Sequence, residues 1–209
     1  MIKIMKYGQV PNSEIFARVT PTVDVAGNVA DILYDVRKNG DQAVLAYCAK
    51  FDKAELTTLE VSKQEIEEAL NQVEPEFLKI LEEAAANIRA FHSRQVRNSF
   101  VIADRPGIVL GQKVTPIEKV GIYVPGGTAA YPSTVLMDTI PAKIAGCPRI
   151  VMVTPPGKDG KLNPAILAAA KIAGVDKIYK VGGAQAVAAM AYGTESVPKE
   201  DKNDGPRNA

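Results

Sequence analysis

The residues best suited to chemistry in this chain follow short apolar segments in its second half. Tyr123 ends one such segment, just before Pro125-Gly126-Gly127, and Gln185 follows Gly182-Gly183 after another. A tyrosine can pack its ring against a planar group while its hydroxyl makes a hydrogen bond, and a side-chain amide offers a donor and an acceptor to a ribose or a carboxamide. Both residues are therefore candidates for binding a ligand. The residues alone leave two alternatives open: a core aromatic at position 123 and an exposed helix residue at position 185.

The glycine pairs beside these residues have two interpretations as well. Glycine adopts backbone conformations closed to other residues and lets a ligand approach the main chain, and the helix that follows offers free N–H groups suited to phosphate. Neither pair belongs to a G-x-G-x-x-G fingerprint or a G-x-x-x-x-G-K-S/T loop, so a conventional dinucleotide or P-loop site is not indicated. Ordinary turn glycines remain the alternative.

The chain contains few of the residues that nucleophilic or metal-dependent chemistry requires. It contains one histidine, His92, and two cysteines, Cys48 and Cys147. Since metal sites need several such ligands at suitable spacing, we predict a structural histidine near a helix end and small buried thiols. Two cysteines in separate helical segments also favour a reducing compartment, and we expect a cytoplasmic protein. We assign no catalytic and no metal-binding residue.

Three apolar segments position the candidate residues. They span 120–124, 149–154 and 177–181, and each ends in a glycine or proline turn that leads into a helical pattern. Apolar strands that alternate with helices are typical of right-handed βαβ units on a parallel sheet. The predicted fold class is therefore α/β, with Rossmann-like parallel βαβ units after a helical N-terminal region. Ligands of such sheets bind at the carboxyl ends of the strands.

The first 120 residues are predicted to be mainly helical. Helical spacing of apolar residues runs from residue 22 to Asn39-Gly40, and Asp41 begins a second helix. Ser62 and Glu65 form a capping-box pattern. Residues 100–124 are rich in β-branched side chains, which predicts two or three strands.

Four regions follow from these patterns. Residues 1–20 form an N-terminal arm, 21–120 the helical and α/β part of a first Rossmann-like domain, 121–199 a second Rossmann-like domain, and 200–209 a tail. The balance of 25 Lys and Arg against 24 Asp and Glu argues against a nucleic-acid partner or an anionic membrane partner. No apolar stretch is long enough for a membrane span, and the first residues do not form a signal peptide.

Several motifs, in order along the chain, carry a resemblance to a known family. They include Val120-Gly-Ile-Tyr-Val-Pro-Gly-Gly127, Pro132-Ser-Thr-Val-Leu-Met137, Val181-Gly-Gly-Ala-Gln-Ala186 and Gly193-Thr-Glu-Ser-Val-Pro-Lys199. The chain resembles histidinol dehydrogenase. The resemblance implies an NAD-dependent, zinc-assisted oxidation of L-histidinol to L-histidine by two successive hydride transfers, and a homodimer. It places Tyr123, Gln185 and Asn208 at the NAD site.

The resemblance also implies a limit. In the family, the zinc ligands and a Glu-His pair of bases follow the part that this chain matches, so we expect no dehydrogenase activity from the chain alone. The family pattern after Lys199 is another buried strand and a Gly-Pro-Gly-Asn turn, whereas this chain has Glu200, Asn203, Asp204 and Arg207 at altered positions. Because unpaired carboxylates are costly to bury, we predict a disordered tail from residue 200. A non-catalytic NAD-binding or interaction module and an incomplete gene product are the alternatives.

Overall fold

The computed structural model describes residues 4–17, 25–126 and 130–206 of the 209-residue chain. In those residues the helices are α1 (Asn12–Ile15), α2 (Ala26–Tyr47), α3 (Lys63–Gln72), α4 (Pro75–His92), α5 (Pro132–Ile144), α6 (Pro164–Ala173) and α7 (Gly183–Tyr192). The strands are β1 (Phe100–Arg105), β2 (Ile108–Gln112), β3 (Lys119–Tyr123), β4 (Arg149–Thr154), β5 (Lys177–Lys180) and β6 (Lys202–Asp204). None of these helices is long and apolar enough to cross a membrane.

A parallel sheet of four strands, in the order β5-β4-β3-β6, forms the centre of the fold. Val120 of β3 pairs with Ile150 of β4, and Val151 of β4 pairs with Lys177 of β5. Helices α5 and α6 connect β3 to β4 and β4 to β5. The prediction of parallel βαβ units is therefore confirmed.

Helices cover both faces of the sheet. Successive strand residues point to opposite faces, so each strand contributes side chains to two hydrophobic cores. Ile122 and Met152 pack with residues of α3, α4, α5 and α6, whereas Val151 and Val153 pack with residues of α2 and α7. Each core thus combines residues from both sides of position 121. The predicted domain boundary between residues 120 and 121 stays a prediction. Residues 21–120 and 121–199 contribute to the same two hydrophobic cores.

The helix break at Gly40 and the capping box at Ser62 form as the sequence predicts. Gly40 has φ 53° and ψ −133°, which splits α2 between Asn39 and Asp41. The Ser62 hydroxyl accepts a hydrogen bond from the Glu65 amide, and the Glu65 carboxylate accepts one from the Ser62 amide. Among residues 4–17 of the predicted arm, none is buried.

The chain after Lys199 differs from the expected disordered tail. Lys202–Asp204 form β6, which pairs in parallel with β3. Glu200, only 4% exposed, makes an ion pair with Arg149 at 2.8 Å. That cation offsets part of the cost on which the prediction rested, although burial still raises the pKa of Glu200. The edge position of β6 leaves Asp204 in contact with solvent. Residues 207–209 lie outside the described part of the chain.

Strands β1 and β2 form an antiparallel hairpin with no buried residue. Val101 is 72% exposed and Val109 is 71% exposed. Two or three strands were predicted here, and the third is β3 of the main sheet. The hairpin leaves an apolar surface in contact with solvent.

Candidate functional site

The candidate site lies where the order of strands reverses in the parallel sheet. From β3 the chain adds β4 and β5 on one side, and β6 then pairs with the other side of β3. A crevice outside the carboxyl ends of strands at such a point is the usual ligand site of open α/β sheets. A cavity of about 520 Å³ opens there. Its lining residues are Tyr123, Gly183, Ala184, Val187, Met190, Asn203, Asp204, Gly205 and Pro206.

Tyr123 connects β3 to the beginning of α7. It is the last residue of β3 and pairs with Val153, and its side chain is half-buried. Its hydroxyl accepts a hydrogen bond from the Gly183 amide at 3.2 Å. This amide is one of the N–H groups that a helix leaves without an internal partner at its first turn. The hydroxyl hydrogen stays available as a donor, so the ring and the hydroxyl together can hold a planar polar ligand.

Gln185 lies at the same helix terminus but is enclosed. It is 1% exposed, which excludes the alternative of an exposed helix residue. A Cβ atom added to Gly183 would lie 2.6 Å from Gln185 Oε1, so the amide packs against the main chain at Gly183. The described residues that line the cavity do not include Gln185. The structure thus brings Gln185 near Tyr123 through Gly183, while a contact of its amide with a ligand stays a prediction.

Asn208, the third candidate, lies outside the described residues. The chain just before it contributes Gly205 and Pro206 to the cavity. A Cβ atom at Gly205 would also lie 3.0 Å from the Tyr123 Cβ, which places this segment directly beside the tyrosine.

Two of the turn glycines have a structural explanation. A Cβ atom would lie 2.6 Å from Pro155 Cγ at Gly126 and 2.5 Å from Pro155 Cβ at Gly182. The turns after β3 and β5 therefore close on the proline that follows β4, and any side chain at either glycine would clash with it. Packing between turns, rather than the approach of a ligand, accounts for these glycines. Gly127 lies outside the described residues.

Two residues of the cavity were missed by the sequence reasoning, which assigned them to a disordered tail. Asn203 lies over Gly121, where a Cβ atom would be 2.7 Å from Asn203 Oδ1. That oxygen is buried and has no hydrogen-bond partner in the described part of the chain. Asp204 ends β6 beside it. Polar residues at the carboxyl end of a strand next to the switch point are the signal that could have identified both.

The electrostatics of the crevice rim depend on Asp138 of α5. Burial, followed by the charge of Asp204, raises the pKa of Asp138 to about 6. Its Oδ2 atom is buried without a hydrogen-bond partner among the described residues. Asp138 and Asp204 both line a second cavity, of about 380 Å³, that adjoins the crevice. The rim therefore carries negative charge at neutral pH.

A larger cavity, of about 650 Å³, opens at the carboxyl ends of β3 and β4, away from the switch point. Asp52 lines it, and burial raises the pKa of this carboxyl. Its walls are formed mainly by residues of the segments 125–126 and 154–166. Neither Tyr123 nor Gln185 lines it, so the cavity that contains Tyr123 is the candidate site.

The histidine and the cysteines take structural positions. His92 Nδ1 lies 2.7 Å from Gln95 Oε1 at the end of α4. Cys48 and Cys147 are both buried, and burial raises the pKa of the Cys48 thiol to about 12, which disfavours a thiolate. Within residues 4–17, 25–126 and 130–206, no group of three or more His, Cys, Asp and Glu side chains could hold a metal ion.

The sheet order and the crevice at its switch point define the class of this protein, an α/β protein with Rossmann-like units and a candidate ligand site at the carboxyl edge. The sequence model of histidinol dehydrogenase matches residues 17–209. This chain belongs to the histidinol dehydrogenase family.

Individual relatives agree with the family match. The chain is 50% identical to the histidinol dehydrogenase of Clostridium acetobutylicum over 213 aligned residues, which cover all of this chain and 49% of that protein. It is 53% identical to the Listeria innocua enzyme of the same name, over 88% of this chain and 43% of that protein. The crystal structure of histidinol dehydrogenase from Elizabethkingia anophelis superposes with a TM-score of 0.89 at 42% identity, over 95% of this chain and 47% of that one. The chain thus spans about half the length of these relatives.

Proposed function

We propose that this chain carries the NAD-binding part of a histidinol dehydrogenase, which oxidises L-histidinol to L-histidine in histidine biosynthesis. The observation that carries the proposal is the Tyr123 hydroxyl bonded to the Gly183 amide, on the wall of the switch-point crevice. This pair joins the end of one strand to the start of a helix at the carboxyl edge of the sheet, where ligands of open α/β sheets bind.

The functional groups that line the crevice are of the types that can bind NAD. Asn203, on the crevice wall, has a side-chain amide with a donor and an acceptor. Tyr123 offers a ring and a hydroxyl, and Gln185 and Asn208 complete the proposed binding set. When bound, NAD supplies the hydride acceptor. The part of this chain is to bind and orient it.

The remaining chemistry of the reaction is not assigned to this chain. The zinc ion and the pair of bases that the family uses belong, in our proposal, to the other part of a complete enzyme. We accordingly propose no catalytic residue, and we expect the complete protein to act as a cytoplasmic homodimer on a small-molecule substrate, L-histidinol.

An incomplete gene product is the second candidate. The chain spans 49% of the Clostridium acetobutylicum protein, which is consistent with an incomplete product and equally with one part of a longer chain. A selected non-catalytic NAD-binding module would have the same crevice. Both alternatives predict no turnover, and they differ in whether the chain binds NAD.

Calorimetric titration with NAD tests the proposed site. We expect Tyr123→Ala to weaken binding by about 5-fold to 150-fold, because a base–aromatic stacking contact is worth roughly 1–3 kcal/mol. Tyr123→Phe, which keeps the ring, should lose less. Tyr34→Phe, on an exposed residue of α2, is the matched control and should bind as the unmodified chain does. Equal affinity of the unmodified chain and Tyr123→Ala would contradict the placement, and no binding by a folded chain would favour the incomplete product.

A further inference from the structure

A single loop, residues 193–199, connects the two walls of the crevice. Residues of α7 line one wall, and β6 with the residues just after it lines the other. The loop closes on itself, because a Cβ atom added to Gly193 would lie 3.1 Å from the Lys199 Cβ. Directly after it, the Glu200 amide donates to the Met190 carbonyl of α7 at 2.8 Å. A change in the loop would therefore act on both walls.

Asp41 of α2 holds the tip of this loop. Its carboxylate accepts hydrogen bonds from the hydroxyls of Thr194, at 2.5 Å, and of Ser196. Its amide donates to Glu195 Oε2 at 2.7 Å, so three consecutive loop residues contact one helix residue. Hydrogen bonds with an ionised acceptor are about twice as strong as neutral ones. One residue therefore ties the loop to the first half of the chain.

The hydrogen bonds inside the loop involve the same hydroxyl. Thr194 Oγ1 also accepts a hydrogen bond from the Val197 amide at 3.1 Å, and the Thr194 amide donates to the Val197 carbonyl at 2.8 Å. Val197 is buried in the core that α2, α7 and the sheet share. At the base of the loop, Arg149 donates to the Lys199 carbonyl at 3.0 Å. The tip and the base are thus held by different side chains, Asp41 and Arg149.

We propose that Asp41 is a positioning residue for the crevice, because it holds the loop 193–199 in the place from which β6 starts. Asp41 is not among the described residues that line the crevice, so it acts on a ligand only through the loop. The predicted binding set does not include it. The structure thereby joins two features that the sequence showed separately, the helix start at Asp41 and the motif that forms the loop.

Positioning differs from general stabilisation in where the chain opens. Amides in a locally opening segment report the free energy of that opening, whereas those of the most protected strands report global unfolding. Strand β6 is an edge strand of three residues, and β4 is paired on both sides. If release of the loop is part of the opening of β6, loss of the Asp41 contacts should lower the protection of β6. A general loss of stability would leave that protection unchanged.

Amide hydrogen exchange of the full chain without ligand tests the proposal. In Asp41→Ala we expect the Thr194 and Asp201 amides to lose protection at least about tenfold, because two hydrogen bonds to a charged group are removed. The Asp201 amide, which donates to the Lys119 carbonyl of β3 at 2.9 Å, reports the start of β6. Unchanged protection at Asp201, with or without a fall at Thr194, would overturn the proposal, since Asp41 would then not position the strand.

Leu81→Ala provides the control for general stability. Leu81 of α4 is buried in the core on the other face of the sheet, and its truncation should lower the protection of β4 while leaving Asp201 unchanged. Asp35→Ala removes another carboxylate of α2, which accepts a hydrogen bond from Asn39 on the surface, and should also leave Asp201 unchanged. Equal falls at Asp201 in Asp41→Ala and Leu81→Ala would contradict the proposal, because Asp41 would then act through global stability.

Ser196→Ala tests the contact itself with a smaller change. It removes one of the two hydroxyl donors to Asp41, so it should cause a part of the fall at Asp201. In the double variant Asp41→Ala/Ser196→Ala the fall should match that of Asp41→Ala alone, because both substitutions remove the same hydrogen bond. Additive falls would mean that the two residues act independently, against the proposal.

The consequence for NAD rests on the proposed function and is measured separately by calorimetry, on variants shown by circular dichroism to be folded. If NAD contacts both walls, its affinity should be at least about threefold lower in Asp41→Ala than in Leu81→Ala, because fewer molecules have β6 in place. Absence of NAD binding by the unmodified chain, with the changes at Asp201 intact, would reject the proposed function and support the positioning of β6. Equal NAD affinity in the two variants would refute a role of Asp41 in the binding of NAD.

Discussion

One cation makes two contacts with the chain just after β5 and α7, where the segment that leads into β6 begins. Arg149 Nη2 contacts Glu200 Oε1 at 2.8 Å and also donates to the Lys199 carbonyl at 3.0 Å, so one side chain fixes the segment that leads into β6. The sequence could place Tyr123 at a strand end, because strand and turn signals are local. It could not pair Arg149 with Glu200, because that contact joins residues 51 positions apart. The burial of Gln185 likewise depends on helix packing that no local pattern encodes.

Removing this cation should destabilise the fold. Arg149→Met leaves Glu200 buried without its partner, and we expect a loss of about 2–3 kcal/mol in the free energy of unfolding. Lys177→Met is the matched control, because its pair with Glu60 is exposed and should be worth less than about 1 kcal/mol. Urea denaturation at pH 7 measures both. Similar losses in the two variants would show that the buried pair has no special role, and recovery in Arg149→Met/Glu200→Val would confirm that the unpaired charge is the cause.

At the scale of elements, the second half of α2 is held by a loop from the other end of the chain. Glu195 Oε2 accepts a hydrogen bond from the Asp41 amide at 2.7 Å, and the Asp41 carboxylate accepts from the hydroxyls of Thr194 and Ser196. The sequence predicted the break at Gly40 and the new helix from Asp41, since glycine and aspartate are local signals. The partner that caps this helix is distant in sequence and could not be predicted.

Gly40 is where this arrangement should be most sensitive to substitution. Gly40→Ala places a Cβ atom against the Glu195 carboxylate at a residue with φ 53°, and we expect a loss of about 1–3 kcal/mol. Gly27→Ala, also in α2 but with nothing within 4 Å of the added atom, should be neutral or stabilising by up to about 1 kcal/mol. Thermal denaturation followed by circular dichroism distinguishes them. Equal shifts in melting temperature would mean that the contact with Glu195 is not formed.

At the scale of the whole molecule, the apolar segments predicted the parallel sheet. They could not predict whether the β1–β2 hairpin is buried or exposed. The alternation of strand and helix signals determines the βαβ units, because handedness and short connections leave few other topologies. The exposure of the β1–β2 hairpin depends on what packs against it, and in the described residues nothing buries it. Its apolar side chains form a surface of the kind that marks contacts between chains or domains.

We expect the purified chain to lack dehydrogenase activity. The chemistry that the resemblance implies uses histidines both as zinc ligands and as a base, and the whole sequence contains one histidine. Histidinol oxidation is measured as NADH formation in the presence of added zinc, with the complete Clostridium acetobutylicum enzyme as the positive control. Zinc-dependent turnover by the 209-residue chain above the background rate would refute the expectation.

Pro155 lies between Gly126 and Gly182, so the turns that follow β3, β4 and β5 pack against one another as one unit. The opposite side of the crevice belongs to β6, which pairs with β3 through three residues and follows the segment that Arg149 holds. A ligand that bridges the two sides would meet one surface already in place and would have to order the other. Part of its binding free energy would be consumed by that ordering, so its measured affinity would report the stability of β6 as well as the quality of its own contacts.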